Sequence, residues 1–185
     1  MAAEFTDPSA AAERAAALTG LLTGGQPAGA GEVAAVLRDF GEPEPITITG
    51  ADLAALRRVA ARLRQVFAAP DAATAARLLN DLLAASAGPP RLSSHDGTTP
   101  WHVHVDRADD APWAGWFAAA SAAGLATLLA ARQAVPGGLC AAPGCGAPFA
   151  ATSGGSPRRY CSARCASRAR VTAYRERSQT TRTST

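Results

Sequence analysis

Lysine is missing from this sequence, and methionine, cysteine and aromatic residues are scarce. All 18 basic residues are arginines, whereas alanine fills 47 of the 185 positions. Such a bias is typical of a GC-rich bacterial coding sequence, so the arginine content alone is weak support for nucleic-acid binding. The hydrophobic content of 48% still suffices for a folded core and excludes an intrinsically disordered chain.

A membrane-spanning segment is not expected. The most apolar uncharged run, residues 117–131, has 15 residues, fewer than the ~20 that a membrane-spanning helix requires. The N-terminus lacks the positively charged start of a secretory signal. We therefore expect a cytoplasmic protein without membrane contact, whose four cysteines serve as metal ligands or free thiols rather than disulfides.

Residues 1–136 are predicted to form a mainly helical α+β domain. Thr49 and Asp52 resemble a capping box at the start of one helix. Residues 91–95 and 101–105 have the pattern of two short strands around the turn Asp96-Gly97, which predicts a β-hairpin. Apolar residues recur at helical spacing in the segments 9–22, 32–40, 49–67, 72–85 and 113–133.

The composition changes after Pro136-Gly137-Gly138, which predicts a domain boundary. Residues 1–139 carry 10 arginines and 14 acidic residues, a net charge of −4, whereas residues 140–185 carry 8 arginines and one acid, a net charge of +7. We therefore expect a second unit over residues 139–178 and a disordered tail over residues 179–185. A mildly acidic body thus carries a basic C-terminal segment.

All four cysteines lie in this basic segment, in two pairs. Four residues separate Cys140 from Cys145, three separate Cys161 from Cys165, and 15 residues lie between the pairs. This spacing is typical of a site in which four thiolates bind one Zn2+ tetrahedrally. Because four protein ligands leave no position for water, we expect a structural zinc ion. The metal would supply folding free energy to a segment too small to fold alone.

A tight turn, a loop or hairpin, and a helix are predicted around the zinc ion, an order that resembles a treble clef. Gly144 and Gly146 are free to adopt positive φ in the turn between the first two cysteines. The second pair is spaced i, i+4, so both sulfurs can face one side of a helix that starts there. Four unrelated buried cysteines are the alternative, which the absence of cysteine elsewhere disfavours.

Arginines flank and line the predicted C-terminal helix. Arg164, Arg168 and Arg175 share one helical face, and Val171 and Tyr174 are expected to anchor the helix. A face of this kind suits contacts to a nucleic-acid backbone. A solvated tail that reflects codon bias is the alternative, which the charge asymmetry disfavours. The candidate contacts are Arg158, Arg159, Arg164, Arg168, Arg170, Arg175 and Arg177.

The run Cys140-Ala-Ala-Pro-Gly-Cys145, with the later run from Arg158-Arg159-Tyr160-Cys161 to Arg170-Val171, resembles the CGNR zinc finger. In bacterial proteins described as stress-induced transcription regulators, this finger follows an N-terminal ABATE domain, to which residues 1–136 are similar. The resemblance implies DNA binding by the finger and a sensing or oligomerising role for the front domain. The name-giving Cys-Gly-Asn-Arg reads Cys165-Ala166-Ser167-Arg168 here, so the glycine and asparagine are replaced.

Three histidines, His95, His102 and His104, surround the predicted hairpin. His102 and His104 alternate along a strand and therefore point to one face, which His95 could join from the paired strand. Such a group is a candidate site for a metal or a small ligand. The alternative is a partly buried polar face beside Trp101, and the lack of a neighbouring run of Asp, Glu or Cys ligands favours it.

No catalytic motif assembles in the sequence, which has no G-x-S-x-G, no H-E-x-x-H and no phosphate-binding glycine motif. We therefore expect a protein that is not an enzyme. The leading hypothesis is a bacterial transcription regulator that binds duplex DNA through its zinc finger. Its front domain would sense an unidentified small molecule or form a homodimer. The alternatives are a zinc-stabilised protein–protein interaction module and an RNA-binding module, in which Tyr160 and Tyr174 would stack on unpaired bases.

Overall fold

A computed structural model of the chain describes residues 7–26, 28–97, 100–108, 110–152 and 158–183. It confirms a mainly helical fold with small two-stranded sheets and a C-terminal cysteine cluster. Residues 153–157 of the predicted loop lie outside the described residues. The elements are α1 (Pro8–Thr23), α2 (Ala30–Asp39), α3 (Gly50–Phe67), α4 (Ala72–Ser86), β1 (Arg91–Ser93), β2 (His102–His104), α5 (Trp113–Arg132), β3 (Gly137–Leu139), β4 (Pro148–Ala150) and α6 (Ala163–Thr183).

Side-chain caps define the starts of three helices. The Asp7 carboxylate accepts a hydrogen bond from the backbone N–H of Ser9 at 2.8 Å, and that of Asp71 accepts one from Thr74 at 2.7 Å. The predicted capping box is present at α3, where Thr49 and Asp52 bond each other's backbone N–H. Each cap satisfies N–H groups that have no partner within the helix.

The core surrounds α5, whose alanine-rich middle is buried on nearly all sides. Helices α1, α3 and α4 pack against it, and Trp116, Phe117 and Leu125 fill the space between them. Alanine and glycine allow the helices to approach closely, and at Gly124 the backbone of α5 comes up against Ala11 of α1.

Among the described residues, α5 is the one helix long and apolar enough, by length and composition, to cross a membrane. It has 20 residues, more than the uncharged run on which the sequence argument against membrane contact rested. Length alone therefore does not exclude that this segment crosses a membrane. The assignment of α5 to the core rests instead on burial, because 61% of the segment is buried inside the fold.

Two antiparallel hairpins complete the fold. In the first, Ser93 pairs with His102, and Arg91 pairs with His104, within the predicted strands. The first strand ends at Ser93, however, so His95 lies in the turn and not, as predicted, on the paired strand. In the second, Gly137 of β3 pairs with Ala150 of β4. This second hairpin includes the Pro-Gly-Gly segment that the sequence marks as a boundary.

The β3–β4 hairpin packs on the front domain rather than standing apart from it. Ala150 is a member of the main core, and a Cβ at Gly137 would lie 2.8 Å from the ring of Phe67. The guanidinium of Arg64 donates to the carbonyl of Gly146 at 3.0 Å. The expected separation of the two cores at residues 136–138 was therefore wrong, because small residues let the hairpin enter the groove between α1 and α3.

The last helix, α6, runs to Thr183. The sequence predicts a disordered tail from residue 179, and for residues 179–183 that prediction was wrong. No proline or glycine interrupts residues 163–183, so helical hydrogen bonding continues past the predicted end. Residues 184–185 lie outside the described part of the chain.

Candidate metal centre

The turn between Cys140 and Cys145 brings the first two sulfurs together. The backbone N–H of Cys145 donates to Ala142 at 3.0 Å, and that of Cys140 donates to Ala147 at 2.8 Å. Gly144 and Gly146 have φ of 69° and 59°, as the sequence predicts for this turn. Glycine carries no Cβ penalty at positive φ, so the chain can reverse tightly here.

A hydroxyl cap starts α6 beside the second pair of cysteines. Ser162 Oγ accepts a hydrogen bond from the backbone N–H of Cys165 at 3.2 Å, in the manner of an N-cap. Cys161 precedes the cap and Cys165 lies in the first helical turn. The backbone N–H of Ala141 donates to Arg159 at 2.9 Å and so joins the two halves of the site.

The four sulfurs form a cluster whose dimensions fit zinc. The Cys145–Cys161, Cys145–Cys165 and Cys161–Cys165 sulfur separations are 3.8, 3.7 and 3.6 Å. A tetrahedral site with Zn–S bonds of ~2.3 Å requires sulfurs about 3.8 Å apart. Cys140 completes the group, in which every sulfur lies within 4.8 Å of the others. The predicted cofactor, one structural zinc ion, is thus consistent with the geometry.

The thiols of the cluster differ in pKa. Burial raises the pKa of Cys140, but the backbone N–H groups of Cys161 and Ala142 outweigh it and lower the pKa to about 7. Burial and hydrogen bonds to the neighbouring thiols raise the pKa of Cys161 to about 12. One thiol therefore ionises readily while another holds its proton, and Zn2+ replaces the remaining protons when it binds.

Two of the predicted nucleic-acid contacts are engaged with the zinc site itself. Arg168 Nη2 donates to the Cys165 sulfur at 3.5 Å. Arg158 donates from Nε to the carbonyl of Tyr160 at 2.8 Å and from Nη2 to that of Cys161, and its guanidinium lies 5.2 Å from the ring centre of Phe149. Both side chains therefore stabilise the module, and their contact with nucleic acid stays a prediction.

The other predicted arginines are exposed. Arg164 and Arg175 have no hydrogen bond or ion pair within the described residues. Arg170 donates to Ser167 Oγ at 3.1 Å, and Arg159 lies 5.9 Å from the ring centre of Tyr160. Arg177 is also exposed. These side chains are accessible to a partner, as the prediction requires.

Val171 and Tyr174 were predicted to anchor α6, and this prediction was wrong. The two residues are 50% and 66% exposed. The helix is held instead at its start, where Cys165 and Ala169 pack with the zinc cluster. Smaller side chains therefore provide the packing, and the two larger apolar groups face outward beside the arginines.

The structure brings all three histidines together. His102 Nε2 lies 2.9 Å from His104 Nε2, which lies 3.1 Å from His95 Nε2. Asp106, which was not among the predicted site residues, joins the group, since its Oδ1 lies 3.0 Å from His104 Nδ1. The pattern His-x-His-x-Asp, which places all three side chains on one strand face, was the signal for it.

Comparison with known proteins identifies the cysteine-containing segment alone. No curated protein matches the chain. The similarity of residues 1–136 to an ABATE domain therefore stays a prediction. Residues 138–178 match the model of the CGNR zinc finger family and contain all four clustered cysteines. This segment is thus a zinc-binding module of the CGNR zinc finger type.

Proposed function

We propose that this protein is a transcription regulator that binds duplex DNA through α6 of its zinc-binding module. The observation that carries the proposal is the exposed arginine face formed by Arg164 and Arg175. The two residues are eleven positions apart on α6, so they lie on the same helical face about 16 Å apart along the axis. Neither has a partner among the described residues.

The shape of α6 supports binding in a DNA groove. The helix has 21 residues, which corresponds to about 31 Å of length, and the major groove of B-DNA is wide enough for one helix. Among the described side chains of α6 beyond Cys165, the exposed ones are four arginines together with Ser167, Val171 and Tyr174. Arginines would contact phosphates while the apolar groups approach sugars or base methyl groups.

The charge of the segment favours a polyanionic partner. Residues 140–185 have a net charge of +7, and Glu176 is their one acidic residue. Few carboxylates are therefore present to compete for the arginines. The contacts of the β3–β4 hairpin with α1 and α3 link this basic helix to the front domain. Under this proposal, a signal received by the front domain would reach α6 through these contacts.

The replacement of glycine and asparagine by Ala166 and Ser167 removes an amide from the start of α6. Ser167 Oγ accepts from Arg170, and this contact orients that guanidinium. We expect contacts with the DNA phosphate backbone to dominate the affinity of this protein for DNA. The exposed arginines can reach phosphates, and the asparagine amide, which could bond to a base edge, is missing.

Salt dependence tests the proposal. The double variant Arg164→Ala/Arg175→Ala removes two candidate phosphate contacts without touching the zinc site. Each contact contributes about −0.9 to the slope of log affinity against log salt, so the slope should become shallower by about two. Affinity should fall by a similar factor for all DNA sequences. The matched control is Arg58→Ala/Arg62→Ala, two exposed arginines on α3, which should bind duplex DNA as wild type does.

Three outcomes would contradict the proposal in different ways. Wild-type affinity of the α6 variant at every salt concentration would exclude this helix as the contact surface. Stronger competition by single-stranded RNA than by duplex DNA would favour the RNA-binding alternative, in which Tyr174 stacks on bases. Absence of any nucleic-acid complex at low salt would favour the protein-interaction alternative.

A further inference from the structure

The histidine group of the front domain has an arrangement that the zinc-binding module does not explain. The side chains of His102 and His104 lie on the same face of β2. The side chain of His95, in the turn after β1, packs against both of them. The three side chains each offer one nitrogen, and these nitrogens lie within 4.8 Å of one another. His104 and His102 are 0% and 5% exposed.

Hydrogen bonds on the far side of two rings determine which nitrogen carries hydrogen. His102 Nδ1 lies 2.8 Å from the carbonyl oxygen of Pro100, and His104 Nδ1 lies 3.0 Å from the carboxylate of Asp106. Both oxygens are acceptors, so each Nδ1 is the donor. In a neutral imidazole the other nitrogen then bears a lone pair.

Two lone pairs therefore face each other across 2.9 Å, the distance between His102 Nε2 and His104 Nε2. Two acceptors at this separation repel unless a cation lies between them. His95 Nε2 approaches within 3.1 Å of His104 Nε2 and adds a third nitrogen to the same point. Bonds of ~2.0–2.1 Å from a tetrahedral metal ion to nitrogen place neighbouring ligand nitrogens about 3.3 Å apart, a few tenths of an ångström more than the two separations here.

The surroundings hold the ligands in the orientation that a metal site needs. Asp106 is 1% exposed, and Arg91 Nη2 donates to its Oδ1 at 2.9 Å. Arg91 thereby holds the carboxylate of Asp106 in place, and this carboxylate in turn orients His104. A carboxylate behind a ligating histidine is a regular feature of protein metal sites, because it orients the ring and raises its basicity.

A proton shared by His102 and His104 is the simplest other cation. Such a proton lies between two nitrogens and can bridge those two alone. A shared proton also gives no role to the third nitrogen, whereas a metal ion uses all three. The convergence of His95 on the same point therefore favours the metal.

We propose that His95, His102 and His104 bind one divalent transition-metal ion through their Nε2 atoms, at a site separate from the zinc finger. Three neutral imidazoles suit Zn2+, Co2+, Ni2+, Cu2+ or Fe2+ rather than Mg2+ or Ca2+. A tetrahedral ion with three protein ligands keeps a fourth position for water or a small ligand. A surface depression lined by His95, Ser93, Ser94 and Trp101 adjoins the site at His95.

Metal stoichiometry of the full-length chain tests the site. Wild-type protein equilibrated with Zn2+ and passed through a desalting column should carry two zinc ions per chain. His104→Gln should carry one. The double variant Cys161→Ser/Cys165→Ser should lose the finger's ion and keep the other. Circular dichroism and the melting temperature of each variant establish that the front domain is still folded.

Cobalt distinguishes the two sites by their ligands. Co2+ bound by thiolates shows intense sulfur-to-metal charge-transfer bands, which imidazole ligands do not produce. His104→Gln should therefore retain these bands while binding one equivalent less. His95→Gln, at the edge of the site, should weaken the second equivalent without unfolding the chain. Asp106→Asn should weaken it by about 10–100-fold, the usual effect of losing a hydrogen bond behind a ligand.

Two results would overturn the proposal. The first is uptake of a single equivalent by folded wild-type protein at saturating Zn2+ or Co2+. The second is a second equivalent that persists in both His95→Gln and His104→Gln. Nitrogen NMR of the imidazoles in Zn2+-saturated wild type gives the same decision, since a proton on Nε2 of His102 or His104 would show that no metal is bound there.

Discussion

Arg168 donates a hydrogen bond to the sulfur of Cys165 at 3.5 Å, one helical turn earlier on α6. Four thiolates around Zn2+ carry an excess of negative charge, so a guanidinium beside one sulfur stabilises the loaded site. In the segment Cys165-Ala166-Ser167-Arg168, the first residue is therefore a zinc ligand, and the last donates a hydrogen bond to that ligand. This relationship separates Arg168 from Arg164, which lies on the same face and has no such contact.

We predict that Arg168→Ala weakens zinc binding. The substitution removes a charge-assisted hydrogen bond behind a metal ligand, a change that lowers affinity by about 10–100-fold in other sites. Competition with a chromophoric chelator measures the effect. Arg164→Ala is the control and should leave the zinc affinity unchanged, while Arg168→Lys should have an intermediate effect. Equal zinc affinities in Arg168→Ala and Arg164→Ala would show that the contact has no energetic role.

Helices were the part of the fold most accessible from sequence. The capping box at Thr49 and Asp52 and the apolar periodicity after it are local signals, and α3 begins where they indicate. The strand β3 has no such signal, because Gly137 and Gly138 offer no side-chain alternation. Its extended form depends on pairing with β4 and on close contact with Phe67, and both are tertiary interactions.

The two candidate metal sites also differ in whether local sequence signals or tertiary structure bring their ligands together. Cysteine spacing alone places four ligands around one ion, since each pair is local in sequence. The histidine site needs more, because His95 reaches His104 only through a left-handed turn in which His95 and Asp96 have φ of 46° and 56°. Residues with Cβ rarely adopt this region, so periodicity could place His102 and His104 together but could not place His95.

Removal of zinc is predicted to destabilise the front domain without unfolding it. The β3–β4 hairpin contributes Ala150 to the main core, and the carbonyl of Gly146 in this hairpin accepts a hydrogen bond from Arg64. Loss of these contacts should cost about 1–3 kcal/mol, observed as a lower melting temperature in Cys161→Ser. Arg64→Ala is the comparison, because it should lower the melting temperature and retain zinc. An unchanged melting temperature in Cys161→Ser would mean that the hairpin stays docked without metal.

Glu42 is predicted to make stability depend on pH. Burial raises the pKa of Glu42 above its ordinary value of 4.5, and the opposing positive charge of Arg14 does not offset this. The folded state therefore binds this proton more tightly than the unfolded state. The resulting stabilisation is complete below pH 4.5 and is lost as pH rises through the raised pKa.

The variant Glu42→Gln isolates this effect, since glutamine does not titrate. Urea unfolding of wild type and variant at several pH values gives the difference in unfolding free energy, in which the other titrating groups largely cancel. Wild type should lose stability relative to the variant as pH increases from 4.5 towards neutrality. A difference independent of pH would show that Glu42 has the same pKa in both states.

Two glycines of α5 provide a matched test of the helix packing. A Cβ at Gly124 would lie 2.7 Å from the Cβ of Ala11, whereas a Cβ at Gly115 would have no atom within 4 Å among those described. Alanine favours the helix over glycine by up to about 1 kcal/mol, but overpacking costs about 1–3 kcal/mol. Gly124→Ala should therefore lower the free energy of unfolding, and Gly115→Ala should raise it slightly. Chemical denaturation measures both, and equal stabilisation by the two substitutions would contradict the close approach of α1 to α5.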